Sequence, residues 1–379
     1  MKILFAGGGT GGHLFSGVAV AEAFLAKGPE GAGSKEKDLL FVGTSYGLEN
    51  ELIPKLGHRL ELIPVSQLKG KGFLPRLKAL LQLPYSFFKS LKLLIREKPD
   101  LVMGIGGYAS GPVTLTAYFL GIKTTIIEQN SHPGITNRIL GKFVDLVFIA
   151  FEKARVFFPP SRTVLTGNPV RRGFLDHGRG GPAWPPANDG RPHRGAPTFT
   201  LLVLGGSQGA RSINQAVTEA AALFAEEKDS KLLRLIHQTG KADSAWVREA
   251  YEKAKTPAEV FDFIQDMKAY YARADLVVSR AGAGTITELE NMGKAAILVP
   301  YPYAADDHQR TNAEELLQAG AARMILNSEL SGARLFQEIR DLRKDPAVLL
   351  RMEAEARRLA KPRAAEEILN LCEKLVLGG

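Results

Sequence analysis

Four side chains in this 379-residue sequence carry groups able to move a proton or hold a sugar phosphate, and each lies at a turn built from small residues or at a strand end: His13, Glu128, Ser207 and Glu288. His13 closes the run Gly7-Gly8-Gly9-Thr10-Gly11-Gly12-His13, and Glu128 opens Glu128-Gln129-Asn130. Ser207 sits inside Gly205-Gly206-Ser207-Gln208-Gly209, and Glu288 follows Arg280-Ala281-Gly282-Ala283-Gly284-Thr285. Glycine lets a backbone approach a ligand closely, and the first amides of a helix offer donors and partial positive charge to an anion. A carboxylate nearby can accept from a ribose diol, and an imidazole can take a proton. Two such helix starts, with Glu288 and the polar cluster Asp306-Asp307-His308-Gln309 and Asn312, suit a nucleotide diphosphate bearing a sugar.

The elements that must position these groups are strands followed by helices. Met1 to Ala6 is a short apolar run and Leu14 to Leu25 is apolar at helical spacing, so the first glycines form a strand-to-helix turn. Asp38 to Val42, Asp100 to Met103, Thr124 to Ile127, Val144 to Ala150 and Thr163 to Leu165 read as further strands. The theme restarts at Phe199 to Leu204 and continues through Leu232 to His237, Val260 to Phe263, Leu276 to Ser279 and Ala296 to Pro300. Such alternation predicts an α/β protein of two doubly wound, Rossmann-like domains facing across a cleft. Between them, Asp176 to Pro197 is rich in Gly, Pro, Arg and His and reads as a surface loop. The predicted division is 1–168 and 169–349, with a charged helical stretch at about 350–379 packing back on the first half.

Two shorter patterns compete for the turns. Gly7, Gly9 and Gly12 fit the G-x-G-x-x-G spacing of a dinucleotide fold, but the place for a ribose-binding acid at the end of the second strand holds Thr44, and no acid occurs until Glu49. Gly205, Ser207 and Gly209 spell the G-x-S-x-G elbow of α/β hydrolases, with Asp275 and His308 in the required order. A short Ser at a helix start is equally a phosphate ligand, and that role is the one favoured here.

Residues 69–98 alternate cations (Lys69, Lys71, Arg76, Lys78, Lys89, Lys92, Arg96) with apolar residues including Phe73, Leu74, Leu77, Phe87 and Phe88. Read as one or two helices broken near Pro84, the segment has an apolar face at 77, 80, 81, 84, 88 and 91. It serves either as a helix covering the sheet or as a patch, with Lys71, Phe73, Leu74, Leu77, Lys78, Phe87 and Phe88, that meets an anionic membrane surface. A net charge of +9 favours an anionic partner, and the single Cys372 excludes an internal disulfide or a multi-cysteine metal site. No apolar run approaches the ~20 residues that span a bilayer. No metal or cofactor is expected, since no two histidines form a ligand pair.

Read together, the glycine turns, Glu128-Gln129-Asn130, Thr136-Asn137-Arg138, Gly167-Asn168-Pro169-Val170-Arg171, Arg280-Ala281-Gly282 through Glu288, and Asp307-His308-Gln309 with Asn312-Ala313 resemble the MurG family of peptidoglycan N-acetylglucosaminyltransferases. The resemblance runs in order from residue 3 to about residue 325. It implies a GT-B fold and inverting transfer of GlcNAc from UDP-GlcNAc to the MurNAc C4 hydroxyl of lipid I, giving lipid II. It implies a peripheral place on the cytoplasmic face of the bacterial inner membrane, with no nucleic-acid partner, and leaves contacts with other cell-wall synthesis proteins open. An inverting transfer needs a base to take the acceptor's proton, and His13 and Glu128, on neighbouring strand ends of the first half, are the candidates; by the resemblance the other roles follow. Ile264 meets the uracil, Glu288 the ribose, Ser207, Gln208 and Arg171 the diphosphate, and Gln309 the GlcNAc hydroxyls. Thr10, Gly11, Gly12, Asn130, Gly282, Ala283, Gly284 and Thr285 join the donor set, while Gly8, Gly9, Gly106, Gly107, Tyr108 and Ser110 are assigned to the acceptor. Ser16, His132 and the 176–197 insert depart from the family pattern.

Overall fold

The computed structural model describes residues 1–27, 38–65, 73–175, 199–206, 209–226 and 233–378, with the side chains of 73–81 left aside. Ser207, Gln208, Lys71 and the 176–197 insert therefore lie outside the described residues, as do the side chains of Phe73, Leu74, Leu77 and Lys78. The chain forms two compact units, Met1–Arg172 with Lys361–Gly379, and Gly173–Ala360.

In the first unit the strands are β1 (Ile3–Gly7), β2 (Leu39–Gly43), β3 (Leu60–Leu62), β4 (Leu101–Gly106), β5 (Lys123–Glu128), β6 (Leu146–Ile149) and β7 (Thr163–Leu165). Its helices are α1 (Gly11–Ala26), α2 (Glu49–Lys55), α3 (Phe73–Glu97), α4 (Ser110–Phe119) and α5 (Ile135–Leu140). All seven strands are parallel, in the order β3-β2-β1-β4-β5-β6-β7. Helices cover both faces, so β1, β2 and β4 are buried throughout and read as continuous apolar runs instead of alternating ones. The order reverses between β1 and β4, and it is beyond the carboxyl ends of strands at such a point that an open α/β sheet leaves room for a ligand.

The second unit repeats the plan. After the short α6 (Arg172–Leu175), which starts on the last residue of the first unit, come β8 (Phe199–Leu204), α7 (Arg211–Ala225), β9 (Leu233–Gln238), α8 (Ser244–Lys253), β10 (Ala258–Phe261), α9 (Met267–Arg273), β11 (Leu276–Ser279), α10 (Ala283–Met292), β12 (Ala296–Leu298), α11 (His308–Gln318), β13 (Ala322–Met324), α12 (Gly332–Lys344) and α13 (Pro346–Leu359). Its parallel order is β10-β9-β8-β11-β12-β13, reversing between β8 and β11. The last helix, α14 (Ala364–Leu377), returns to the first unit, where Ala365, Ile368, Leu369 and Cys372 enter the core beside Val18 and Phe24 of α1. Lys27 adds a bond to Asn370 at 2.8 Å and an ion pair to Glu373. Of the stretch 350–379, only the part from Lys361 belongs to the first unit; α13 packs on α10 in the second.

Within the basic segment the helix is described from Phe73 to Glu97. It is one helix, α3, running through Pro84. Its described buried stripe is Ser86, Ser90, Leu93 and Leu94, whereas Pro84 and Phe88, on the apolar face that periodicity gives, are exposed and Leu91 is half-buried. Serine can enter the stripe because its hydroxyl finds a carbonyl nearby: Ser90 Oγ donates to Ser86 O at 2.8 Å, and Ser86 Oγ to Gln82 O at 3.0 Å and to Pro64 O. The outward face carries Tyr85, Phe88 and Ile95, each more than half exposed, beside Lys89, Lys92 and Arg96.

Candidate active site

In the first unit the turns after β1 and β4 interlock. Gly8 N donates to Gly106 O at 3.1 Å. A Cβ on Gly7 would stand 2.1 Å from Gly106 O, and one on Gly107 2.3 Å from Gly8 O. Gly107 also has φ +82, where L side chains are strained. The imidazole of His13, third residue of α1, lies against this frame: a Cβ on Gly106 would meet its Cδ2 at 2.6 Å. Its Nδ1 is 3.0 Å from Thr10 Oγ1 at the helix N-cap. With Nδ1 protonated, the ring donates to Thr10 and Nε2 is the basic nitrogen. By contrast Gly9 and Gly12 have nothing within 4 Å of an added Cβ, so their backbone faces open space.

One partner of this turn is absent from the sequence patterns. Glu49, at the start of α2, is 1% exposed, and its Oε2 accepts from Gly9 N at 2.8 Å. Its Oε1 accepts from Thr44 N at 2.8 Å and Thr44 Oγ1 at 3.0 Å. The amide expected to meet a phosphate of the acceptor is thus taken by a carboxylate of the chain itself, and Gly8, its own amide bonded to Gly106, is buried. Both residues hold the turn together.

Glu128, at the end of β5, is 1% exposed. Its Oε1 accepts from Asn130 N at 2.9 Å and Asn130 Nδ2 at 3.3 Å, and its Oε2 from Asn137 Nδ2 at 2.9 Å. Burial pushes the carboxyl up to about 7, opposed by hydrogen bonds from the backbone and side chain of Asn130, the side chain of Asn137 and the backbone of Gly134. A carboxyl so enclosed fixes the strand end. Ser110, expected on the acceptor, is likewise fully buried with its side chain toward Gly104, while Tyr108 and Asn130 are half-buried. Arg171 stacks on Phe15, 4.4 Å from the ring centroid. Thr10, Gly11, Gly12, Asn130 and Arg171 all belong to the first unit. Ser16, a departure from the family pattern, donates to Gly12 O at 3.0 Å and to Asn168 Oδ1 at 2.7 Å, tying the first turn of α1 to the Gly167–Arg171 motif.

In the second unit the turns follow β8 and β11. Gly205 and Gly209 are jammed on backbone, 2.3 Å from Ala210 N and 2.0 Å from Thr239 O for an added Cβ, whereas Gly206 and Gly282 face open space. Gly282 is the N-cap of α10, with Ala283, Gly284 and Thr285 as its first turn. Gln238, which no motif flagged, joins two parts of the site: its Nε2 donates to Gly206 O at 3.0 Å and its Oε1 accepts from Ile264 N at 2.8 Å. Glu288 is the sixth residue of α10, in its second turn, and accepts from Tyr271 Oη at 3.1 Å. Gln309 Oε1 accepts from Tyr301 N at 3.0 Å. Asn312 Nδ2 donates to Ala281 O at 3.3 Å. The loop before α11 stores strain, with Asp306 and Asp307 both left-handed at φ +52 and +53.

Beneath the β8 turn runs a buried polar chain. His237 Nδ1 meets Tyr251 Oη at 2.6 Å, and its Nε2 meets Asn214 Oδ1 at 3.0 Å. Asn214 Nδ2 donates to Thr239 O at 3.0 Å and to Asp243 Oδ2 at 2.8 Å, and Asp243 pairs with Arg211 at 2.9 Å. Burial holds His237 down at about 3, so the ring is neutral, with Nε2–H donating to Asn214 and Nδ1 accepting from Tyr251.

The hydrolase pattern fails on geometry. Asp275 lies at the amino end of β11, accepting from Thr200 N at 2.8 Å, at the opposite end of the sheet from the Gly205–Gly209 turn. Among the described residues no group of three His, Cys, Asp or Glu side chains is placed to hold a metal.

Two parallel sheets of this order, each with glycine turns at its reversal, define the two-domain GT-B fold class. The N-terminal domain of glycosyltransferase family 28 matches residues 3–149, and the family's C-terminal domain matches 200–368. A transferase from Myxococcus xanthus (strain DK1622) is 49% identical over 377 residues, covering 100% of this chain and 94% of its own. One from Citrifermentans bemidjiense is 46% identical, covering 98% of both. Each bears the name UDP-N-acetylglucosamine–N-acetylmuramyl-(pentapeptide) pyrophosphoryl-undecaprenol N-acetylglucosamine transferase. The crystal structure of Acinetobacter baumannii MurG superposes with a TM-score of 0.76 at 29% identity, covering 98% of this chain and 99% of that one. A UDP-GlcNAc 2-epimerase from Neisseria meningitidis shares the fold alone, at TM-score 0.65 and 14% identity over 100% of both chains. The chain belongs to glycosyltransferase family 28, in the group of MurG transferases.

Proposed function

We propose that this protein transfers GlcNAc from UDP-GlcNAc to the C4 hydroxyl of MurNAc in undecaprenyl-pyrophosphoryl-MurNAc-pentapeptide, lipid I, giving lipid II with inversion at the anomeric carbon. Identity of 44–49% along the whole chain to transferases named for that activity carries the reading. The second unit holds the donor. Ile264 meets the uracil, Glu288 accepts from the ribose hydroxyls, and Gln309 meets the GlcNAc hydroxyls. Ser207, Gln208 and Arg171, with the amides at the start of α10, take up charge on the leaving diphosphate. The first unit binds lipid I and supplies the base. His13 Nε2 takes the proton of the C4 hydroxyl as its oxygen bonds to the anomeric carbon and the bond to the UDP oxygen breaks. Glu128 is assigned a positioning role.

The outward face of α3 supports a peripheral place on the cytoplasmic face of the inner membrane. Its exposed Tyr85, Phe88 and Ile95 beside Lys89, Lys92 and Arg96 form an amphipathic surface of the kind that meets anionic lipid. No helix among the described residues is long and apolar enough to cross a membrane.

Transfer of radiolabelled GlcNAc to a lipid I analogue tests the activity: release of free sugar or of an epimer, with no labelled lipid product, overturns it. His13→Ala is expected to lower kcat by about 100-fold or more while the KM for UDP-GlcNAc stays within about twofold; unchanged turnover removes the imidazole from the reaction. Flotation with vesicles containing anionic lipid tests the surface. Binding that weakens with salt and with the triple change Tyr85→Ser, Phe88→Ser and Ile95→Ser supports it, and indifference to both refutes it.

A further inference from the structure

A buried carboxylate set against a glycine turn demands a reason, because enclosing one without donors costs several kcal/mol. Glu49 has its donors, and they lie on two elements: Gly9 N on the turn that follows β1, and the amide and hydroxyl of Thr44 at the end of β2. Room for the carboxyl is made by missing side chains. A Cβ would stand 2.6 Å from Glu49 Oε2 at Gly8 and 2.0 Å at Gly47, and 2.4 Å from Glu49 Cγ at Gly43. Three glycines, one on the turn after β1 and two on the stretch from β2 to α2, thus close around one side chain that is 1% exposed. The spacing Gly7, Gly9, Gly12 resembles a pyrophosphate cradle, yet the anion seated at Gly9 is the protein's own.

The residue after Gly9 is Thr10, whose hydroxyl stands 3.0 Å from His13 Nδ1. We infer that Glu49 is a positioning residue for the base: it fixes the Gly9–Thr10 backbone against β2, and so holds Thr10 as the acceptor for Nδ1–H and directs the basic Nε2. The inference rests on the assignment of His13 under the proposed function. It names a residue that acts through the turn and touches neither substrate.

Glu49→Gln tests it, since the amide keeps the shape but turns an NH2 toward either Gly9 N–H or the Thr44 donors. The expected result, with folding checked by circular dichroism and thermal melting, is a kcat for GlcNAc transfer about 10- to 100-fold lower, the scale of a small misplacement of a reacting group. The KM for UDP-GlcNAc stays within about twofold. The acid limb of the kcat–pH profile moves to lower pH, because the bond from Nδ1–H to Thr10 is stronger when the ring is charged and its loss weakens the hold of the imidazole on a proton. A purely structural role leaves that limb in place. Because Glu49 acts through His13, the double variant Glu49→Gln, His13→Ala is expected to be no slower than His13→Ala alone.

Should Glu49→Gln fail to fold, Thr44→Val withdraws one of the three donors and is expected to lower kcat severalfold, with the same lack of additivity. Wild-type kcat or an unmoved acid limb in Glu49→Gln, or in Thr44→Val if that is the variant that folds, overturns the inference; so do losses that multiply in the double variant. A wild-type protein that transfers no GlcNAc refutes the proposed function instead, and a fast His13→Ala refutes the base assignment. A slow His13→Ala beside a wild-type Glu49→Gln refutes the inference alone.

Discussion

The neutral His237 makes the second unit sensitive to acid in a way that can be calculated. In the fold its pKa is held near 3 by burial, against an ordinary 6.5 in the unfolded chain. Between those values the unfolded state binds a proton that the folded state refuses, so the stability from this group is complete above about pH 6.5 and is lost as pH falls toward 3. The slope is about 1.4 kcal/mol per pH unit, which gives about 2 kcal/mol between pH 6.5 and 5. The variant His237→Gln cannot titrate, and it leaves Tyr251 and Asn214 imperfectly paired, at a cost of about 1–3 kcal/mol at pH 8. The gap between wild type and variant should therefore be largest at pH 8 and shrink by about 2 kcal/mol by pH 5. Urea unfolding read through Trp246, which lies in α8, in a Trp184→Phe background measures the gap at each pH. A gap that is constant from pH 8 to pH 5 would falsify the neutral, enclosed imidazole.

Three further outcomes are expected. Lys255 stands left-handed, at φ +53, just beyond α8, with its N–H on Glu252 O and that of Thr256 on Tyr251 O, a helix end that favours glycine; Lys255→Gly should raise stability by about 0.5–1 kcal/mol in thermal melts. Gly107→Ala forces a Cβ to within 2.3 Å of Gly8 O at φ +82, so the first unit should lose at least ~2 kcal/mol and transfer should fall with it, while Gly282→Ala, facing open space, should leave stability within about 0.5 kcal/mol. The carboxyl of Glu128, raised from 4.5 to about 7, contributes stability that is complete below pH 4.5 and lost as pH rises through 7; Glu128→Gln should remove that part of the pH dependence of the first unit, measured by unfolding at pH 4.5 and 8.

The strand-turn-helix units carrying His13, Ser207 and Glu288 were legible because parallel strands buried on both faces are unbroken apolar runs ending in glycine. The short edge strands were not: Leu60–Leu62 and Ala322–Met324 are three residues each, too brief to show a period. Periodicity gave an apolar face of α3 but not its buried side, because the buried stripe contains Ser86 and Ser90, whose hydroxyls bond to nearby carbonyls and so escape the cost that hydropathy assigns them. Glu49 escaped for a different reason. An acid at a helix start signals nothing by itself, and only the fold brings Gly8 and Gly43 around it beside Gly47. Gln238 likewise looked like the polar end of a strand until the turn after β8 and the loop at Ile264 were placed on either side of it.

The return of α14 sets an order on synthesis. Ala365, Ile368, Leu369 and Cys372 complete a core whose other side, on α1, leaves the ribosome more than 300 residues earlier. The second unit is in effect an insertion within the first and can fold while the chain is still being made. The first must wait with the flank of α1 bare, open to chaperones or to other apolar surfaces, until the last helix emerges. A deletion or premature stop near the C-terminus would therefore injure the half of the protein made first. Expressing that half by itself calls for residues 1–172 joined by a linker to 361–379, not for a cut at the boundary between the two sheets.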